Sequence, residues 1–470
     1  MRWQAEGKVG AMSNATRKQP KRLVAALAAA LGMIGLQSGA FASVLSVTSC
    51  ADDGSEGSLR QVAAQAIHGD TIDLSGLSCV SSTVTLTQGE IVLPYNVTLN
   101  GPASADLTVS ASGSRVFTST SQDKPAPYLA IQNLKISGGR VNGGYADATG
   151  GCVQAAGQVT LSNSSVSDCS ANSDTGSSRG GAIYAESVSL VSSRVSSSAV
   201  NAPAPGQVAR GGGIYVRNGS LYCRDSTISG NVATAESESD RAEGGGVLAM
   251  NSDVHLYRCT VDSNAADSAG GVGQVAFYDG VQQTLIENST ISGNSSRSLI
   301  AAAGFNLTCS KCSPSPVQLY NSTVAFNTGL SNYVAGIYTN GAILAQSSIV
   351  ANNVGAGSVE MDTFSHRLGG VGNLVMSSNV VPEAGTVVSS ADPQLAPLSD
   401  NGGATRTHAL TAQSPALGAG NNSLNYVTDQ RGDGFARAVA GSVDIGAFQS
   451  QAATPALAVG DAIFSGSFND

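Results

Sequence analysis

Between residues 130 and 380 the apolar residues fall in short islands of two to four, alternating with Ser, Thr and Asn. Segments such as Val254-His255-Leu256-Tyr257 and Thr290-Ile291-Ser292 have a period of two, and no helical i, i+3, i+4 run interrupts them. That pattern predicts short strands with one buried face. Two motifs recur. Gly-Gly-x-(Ile/Val) carries its apolar residue at Val153, Ile183, Ile214, Val247, Val272, Phe305 and Ile337. (Asn/Asp)-Ser-Thr-(Ile/Val)-x-x-Asn carries its own at Ile136, Val166, Val195, Ile228, Val261, Ile291, Val324 and Ile349. The step is about 30 residues. A unit that short cannot close a core alone, so stacked units must share one.

A right-handed parallel β-helix fits these strands, with coils stacked about 4.8 Å apart in a rod about 40–50 Å long. A leucine-rich repeat would need a shorter period and a fixed leucine frame. Aligning units on the second motif gives columns. Three positions after its Ile/Val stand Asn231, Asn264, Asn294, Asn327 and Asn352, an expected ladder of side-chain hydrogen bonds whose residues also tolerate the left-handed conformation. Cys169 and Ser198 hold that position in earlier coils. Five positions before it stand Leu161, Leu190, Cys223, Leu256, Ile286, Leu319 and Leu344, an inward column that makes Cys223 a buried thiol. Three before it, Asp225 and Arg258 fall in adjacent coils and are expected to pair across them. The Asn-x-Ser/Thr triplets at Asn163, Asn288 and Asn321 arise from the same column chemistry.

Ahead of the repeats, Leu59, Val62, Ala63, Ala66 and Ile67 follow helical spacing after Ser55 and Ser58 and before Gly69, the pattern of a capping helix. Cys50 and Cys79 flank it and are a candidate disulfide. At the start of the chain, Lys18, Lys21 and Arg22 precede an apolar run from Leu23 to Leu36 and an Ala40-Phe41-Ala42 box, which reads as a signal peptide cut after Ala42, with Met1 or Met12 as the start. The expected organisation is 1–42 signal, 43–135 cap and first coils, 136–380 repeats, 381–450 a C-terminal domain and 451–470 a tail.

Composition narrows the function. Glycine contributes 56 residues without a three-residue period, and charged residues are only 12%, which excludes collagen and charge-driven disorder. After the cut, 18 basic and 32 acidic residues remain, a net charge of −14, which argues against nucleic acid and anionic membranes as partners. No transmembrane segment is expected in the mature chain. All eight cysteines survive the cut, as expected of a disulfide-forming exported protein. Cys309-Ser310-Lys311-Cys312 reads as a small loop-pinning disulfide, because no second Cys-x-x-Cys or His pair supports zinc.

The motifs Gly57-Ser58-Leu59-Arg60-Gln61-Val62, Gly69-Asp70-Thr71-Ile72 and Val84-Thr85-Leu86-Thr87 resemble the N-terminal part of bacterial secreted right-handed β-helix proteins. Gly180-Gly181-Ala182-Ile183-Tyr184 and Phe326-Asn327 resemble the repeats of polymorphic outer-membrane proteins. The run from Asp392 to Thr405, then Thr407-His408-Ala409-Leu410, Ser414-Pro415-Ala416-Leu417, Asp429-Gln430-Arg431-Gly432 and Asp444-Ile445-Gly446-Ala447-Phe448 resembles the choice-of-anchor Q domain of exported β-helix proteins. The resemblance implies export and a life at the cell surface or outside it, in the outer membrane or periplasm if retained. It carries no established activity.

β-helices often cut polysaccharides. A lyase needs a base near a uronate carboxylate, often with Ca²⁺, and an inverting hydrolase needs two carboxylates about 6.5–9.5 Å apart. The charged zone 210–262 offers Asp225, Arg241, Glu243 and Arg258 as candidates, and the acidic loop 233–243 as a possible Ca²⁺ ligand set. The acids do not repeat on one column, so the expected protein is a non-catalytic binder of a polysaccharide or cell-surface glycan, with no cofactor. A polysaccharide lyase or glycoside hydrolase is the alternative. Tyr184, Tyr215 and Tyr338 follow the Gly-Gly motif's apolar residue and are expected to face outward as a sugar-stacking strip. Arg431-Gly432-Asp433 overlaps the C-terminal signature, as does His408, and both read as structural. His68, His255, His366 and His408 are too dispersed in sequence to suggest a metal cluster.

Overall fold

In a computed structural model of the chain, the described residues are 42–451, apart from 94–95, 120–126, 145, 236–241, 278–281, 298–301, 310–314, 330–333, 356–360 and 364–366. The signal segment, Arg241, Cys312, His366 and most of the tail lie outside them.

The chain is a parallel β-helix. Three long sheets form its faces: face A, of 12 strands from Val44–Ser46 to Leu368–Val371; face B, of 12 strands from Thr83–Leu86 to Val387–Ser389; and face C, of 10 strands from Ile91–Val92 to Met361–Thr363. Sheets of seven and four strands widen the middle coils between faces B and C. One coil runs through Ser220–Arg224, Thr227–Ser229, Val232–Ala235, Ala242–Glu243 and Val247–Met250 in that order. Each strand pairs in parallel with its equivalent one coil away; Leu221 and Cys223, for example, sit beside Val254 and Leu256.

Alternation puts one side of each strand into the shared core. Leu161, Leu190, Cys223, Leu256, Ile286 and Leu319 form one fully buried column and Val166, Val195, Ile228, Val261, Ile291 and Val324 another. Both columns continue at Ala345 and Val350, one residue beyond the expected Leu344 and Ile349. Ile349-Val350 and Asn352-Asn353 are doublets, so the sequence fits either register, and a slip of one reverses which side chains point inward. Ile349 stays buried because the C-terminal segment covers it with Ala416 and Ile445.

The asparagine ladder runs through Asn231, Asn264, Asn294 and Asn327 to Asn353, not Asn352. Each Nδ2 donates to the next Oδ1, at 3.0, 2.9, 2.9 and 2.7 Å. Each Oδ1 also accepts the backbone N–H one coil back. The left-handed residue is the one before the ladder asparagine, as at Ser263, Phe326 and Asn352 with φ of 57°, 57° and 59°. At the face A–face B corner the same role falls to Asp225, Arg258, Asn288 and Asn321. Before face C it falls to glycines such as Gly244, φ 68°, where a Cβ would lie 2.2 Å from the Val247 carbonyl oxygen. A serine ladder, not anticipated, lines the inside of the first corner: Ser289 and Ser322 accept the backbone N–H of Cys259 and Ser289 at 3.0 and 3.1 Å.

Helix α1, Leu59–Gln65, closes the first coil. Ser58 caps it by accepting from Gln61 N, and Leu59, Val62 and Ala63 face the core. Asp52 ties it down, pairing with Arg60 at 2.8 Å and accepting the Gln88 N–H at 2.9 Å. Disulfides join Cys50 to Cys79, Cys152 to Cys169 and Cys223 to Cys259. Cys223 is thus bonded rather than a thiol, because Cys259 one coil on also points inward. Cys309 is disulfide-bonded too.

Candidate functional site

On face A the outward residues stack into two columns. One is Tyr222, His255, Leu285, Gln318 and Leu344; the other is Arg224, Tyr257, Glu287, Tyr320 and Gln346. His255 Nε2 lies 2.7 Å from Glu287 Oε2 across the columns. The other carboxylate oxygen of Glu287 accepts the hydroxyl of Tyr426, from the irregular C-terminal segment. Burial pushes the Glu287 carboxyl up, but the hydrogen bonds from His255 and Tyr426 outweigh it and leave it below its usual value. The Tyr426 and Tyr320 phenols are pushed up, by burial first and by that carboxylate second. Tyr222 meets His255 edge to face with ring centres 5.2 Å apart, and Tyr320 donates to Gln318 at 2.9 Å.

The adjoining corner holds Asp225 and Arg258. Arg258 donates to both carboxylate oxygens, at 2.6 and 2.7 Å, reaches Thr428 at 3.3 Å and lies 4.8 Å from the Tyr257 ring centre. Burial works against the Arg258 charge, and Asp225 more than restores it. A groove of about 310 Å³ follows this corner past Lys135, Asn163, Arg194 and Asp225.

The other residues singled out in the sequence lie elsewhere. Glu243 is on the four-stranded sheet, paired at 2.5 Å with its neighbour Arg210, and does not join Asp225 and Arg258 in one cluster. Tyr184 and Tyr215 stack at 5.3 Å on face C, but Tyr215 is only 2% exposed, packed with Leu248 and Met250. The strip is therefore a packing stack at that rung. Only half-buried Tyr184 opens onto a cleft of about 360 Å³, with Gln154, Glu186 and Arg217. Leu248, Gly273 and Asn306 separate Tyr215 from half-buried Tyr338 in the same column. Among the described residues no three His, Cys, Asp or Glu side chains group to hold a metal ion.

His255, Glu287 and the face A tyrosines were missed in the sequence. They stand six and four positions before the second motif's Ile/Val, and aligning those columns would have stacked them. Nothing in the repeat points to Tyr426.

No family model matches the chain, and no curated protein does. Among solved structures, one described as the crystal structure of pectate lyase Pel9A is similar at a TM-score of 0.42 and 12% identity, over 87% of this chain and 96% of that one. A likeness that distant carries no chemistry to this chain.

Proposed function

We propose that the chain is an exported β-helix protein that holds a glycan on the outer side of face A without cleaving it. The observation that carries this reading is Glu287, fixed between His255 and Tyr426 in the midst of half-buried Tyr222, Tyr257 and Tyr320. Aromatic faces beside oriented polar groups suit sugar rings and their hydroxyls. Tyr257 and Tyr320 stand two coils apart, about 9.6 Å on the strand spacing, so an extended chain can lie along the rod. The net charge of −14 that remains once the signal segment is cut, 18 basic against 32 acidic residues, favours a neutral glycan over a polyuronate.

Each candidate acid is committed to a partner: Asp225 to Arg258, Glu243 to Arg210, Glu287 to His255 and Tyr426. That supports binding over hydrolysis, which needs a free pair of carboxyl groups. All seven described cysteines are in disulfides, which fits an oxidising compartment outside the cytosol. No described helix is long and apolar enough to cross a membrane. Surface attachment through the choice-of-anchor Q-like segment belongs to the same proposal.

The test is incubation of the purified chain with neutral and acidic polysaccharides, with and without Ca²⁺, following retention, reducing-end release and unsaturated-uronate absorbance together. Retention on a neutral glycan without product, weakened at least tenfold in Tyr257→Ala/Tyr320→Ala, is the expected result. Product formation would replace the proposal with the lyase or hydrolase alternative, and absence of retention across the panel would end it.

A further inference from the structure

Residues 392–450 lie against the outer side of face B and form, with it, an open cleft of about 460 Å³. Phe326, Leu395 and Leu398 give it apolar lining and Ser292, His408, Asp262 and Arg406 polar lining, with the Phe326 and His408 rings 5.0 Å apart. His408 Nδ1 lies 2.7 Å from the carbonyl oxygen of Ala396. A carbonyl only accepts, so Nδ1 carries the proton and Nε2 a lone pair. Ser292 Oγ, 2.8 Å from Nε2, therefore donates its hydroxyl proton to the imidazole. That is the orientation of a nucleophile and its general base.

Two further observations distinguish this site from a simple docking contact. Asp262, the register partner of Ser292 one coil back, is 1% exposed, and its Oδ1 has no hydrogen-bond partner among the described residues. Its negative charge favours a proton on His408. Arg406 donates to Asp262 Oδ2 at 2.5 Å through one terminal nitrogen, and its remaining N–H groups donate to no described residue. Burial holds the His408 imidazole below its ordinary value, so it is neutral and able to accept a proton at neutral pH.

We propose that Ser292 and His408, with Arg406 as the cation facing the developing oxyanion and Asp262 as the residue that positions Arg406, form an esterase centre for small carboxylic esters. Ser292 Oγ bonds to the ester carbonyl carbon as its proton passes to His408 Nε2. The bond to the alcohol oxygen breaks, and the alcohol leaves with that proton. Water then gives a proton to Nε2, its oxygen bonds to the acyl carbon, the Oγ–acyl bond breaks, and the proton returns to Ser292. The sum is ester and water to acid and alcohol, with no change of oxidation state.

The experiment treats the full chain with a fluorophosphonate probe and locates the adduct by mass spectrometry, alongside hydrolysis of 4-nitrophenyl acetate. Ser292→Ala keeps the fold, because Ala325 and Ala351 fill the same column in the next two coils. The expected results are an adduct at Ser292, an esterase rate at least tenfold lower in Ser292→Ala and His408→Gln, and an acidic limb of the pH–rate profile displaced to lower pH in Asp262→Asn. A folded wild-type chain without the adduct, or hydrolysis undiminished in Ser292→Ala, would overturn the proposal. Labelling at an unchanged rate in His408→Gln would overturn the role of the imidazole.

Discussion

Arg258 reaches back one coil to hold both carboxylate oxygens of Asp225, and both residues occupy the left-handed corner of their coils, with φ of 55° and 50°. The side chains are 11% and 15% exposed, so this pair is more shielded than a surface salt bridge. Asn tolerates the left-handed corner as well as Asp does, so Asp225→Asn removes the charge without straining the backbone. The expected loss is about 2 kcal/mol, between the values for exposed and fully buried pairs, read from the urea midpoint at constant m.

The asparagine ladder offers a test of register. Asn264→Ala orphans the Asn231 backbone N–H and removes one of the two acceptors of its Nδ2, leaving that to the Val195 carbonyl oxygen, and should cost about 3 kcal/mol. Asn353→Ala should cost about the same, since Asn327 donates to it twice. Asn352→Ala meets the left-handed backbone penalty of about 1 kcal/mol and loses one exposed hydrogen bond, from Nδ2 to Asp392 at 3.3 Å, so it should cost clearly less than Asn353→Ala. Equal melting points for the last two variants would contradict a register that turns Asn353 inward.

The arginine of the Arg-Gly-Asp tripeptide is locked away, although Asp433 is exposed. Arg431 is sandwiched between Phe435 and Phe448, each ring centre 4.0 Å from the guanidinium carbon, and pairs with Asp429 at 2.6 Å with side chains 4% and 0% exposed. It is not presented to a receptor. Arg431→Ala leaves Asp429 buried without its counter-charge, and the C-terminal segment should lose about 3–5 kcal/mol. Limited proteolysis should then cut between residues 392 and 450 before it cuts the coils.

Acid should loosen the Tyr426 clasp. Glu287 has its carboxyl below the ordinary 4.5 in the folded chain, so its contribution is complete above pH 4.5 and disappears as pH falls through the lower folded value. The melting temperature of the wild type should therefore drop more steeply than that of Glu287→Gln between pH 5 and pH 3, the difference between the two curves isolating this carboxylate from the others that titrate there.

The coils were legible because three demands coincide at fixed places: inward aliphatics such as Val261, a glycine such as Gly244 where no Cβ fits, and a carboxamide such as Asn264 inside the corner. The last coil differs from its expected register because Ile349-Val350 satisfies two registers at once. The repeat turns Cys223 inward, and its partner Cys259 stands at the motif's serine position, between Ser226 and Ser289; strand alternation does not reveal that this corner position also faces inward. Asp225 and Arg258 could be stacked from the repeat alone. His408 and Tyr426 could not be placed, because they come from a segment without period, and its path over the coils is fixed by tertiary contacts.

That segment crosses the coils instead of following them. Arg406 meets Asp262, Gln430 meets Thr290 at 2.5 Å, Ala447 donates to Thr323 at 3.0 Å and Asn421 to Ser347 at 2.6 Å, so four successive coils share one strap. A solenoid joined only rung to rung yields to a pull like a coil of thread, one turn after another. Here the seam is stitched lengthwise. Tension along the rod loads all four fastenings in shear, and they release together in a single rupture in place of a series of small steps.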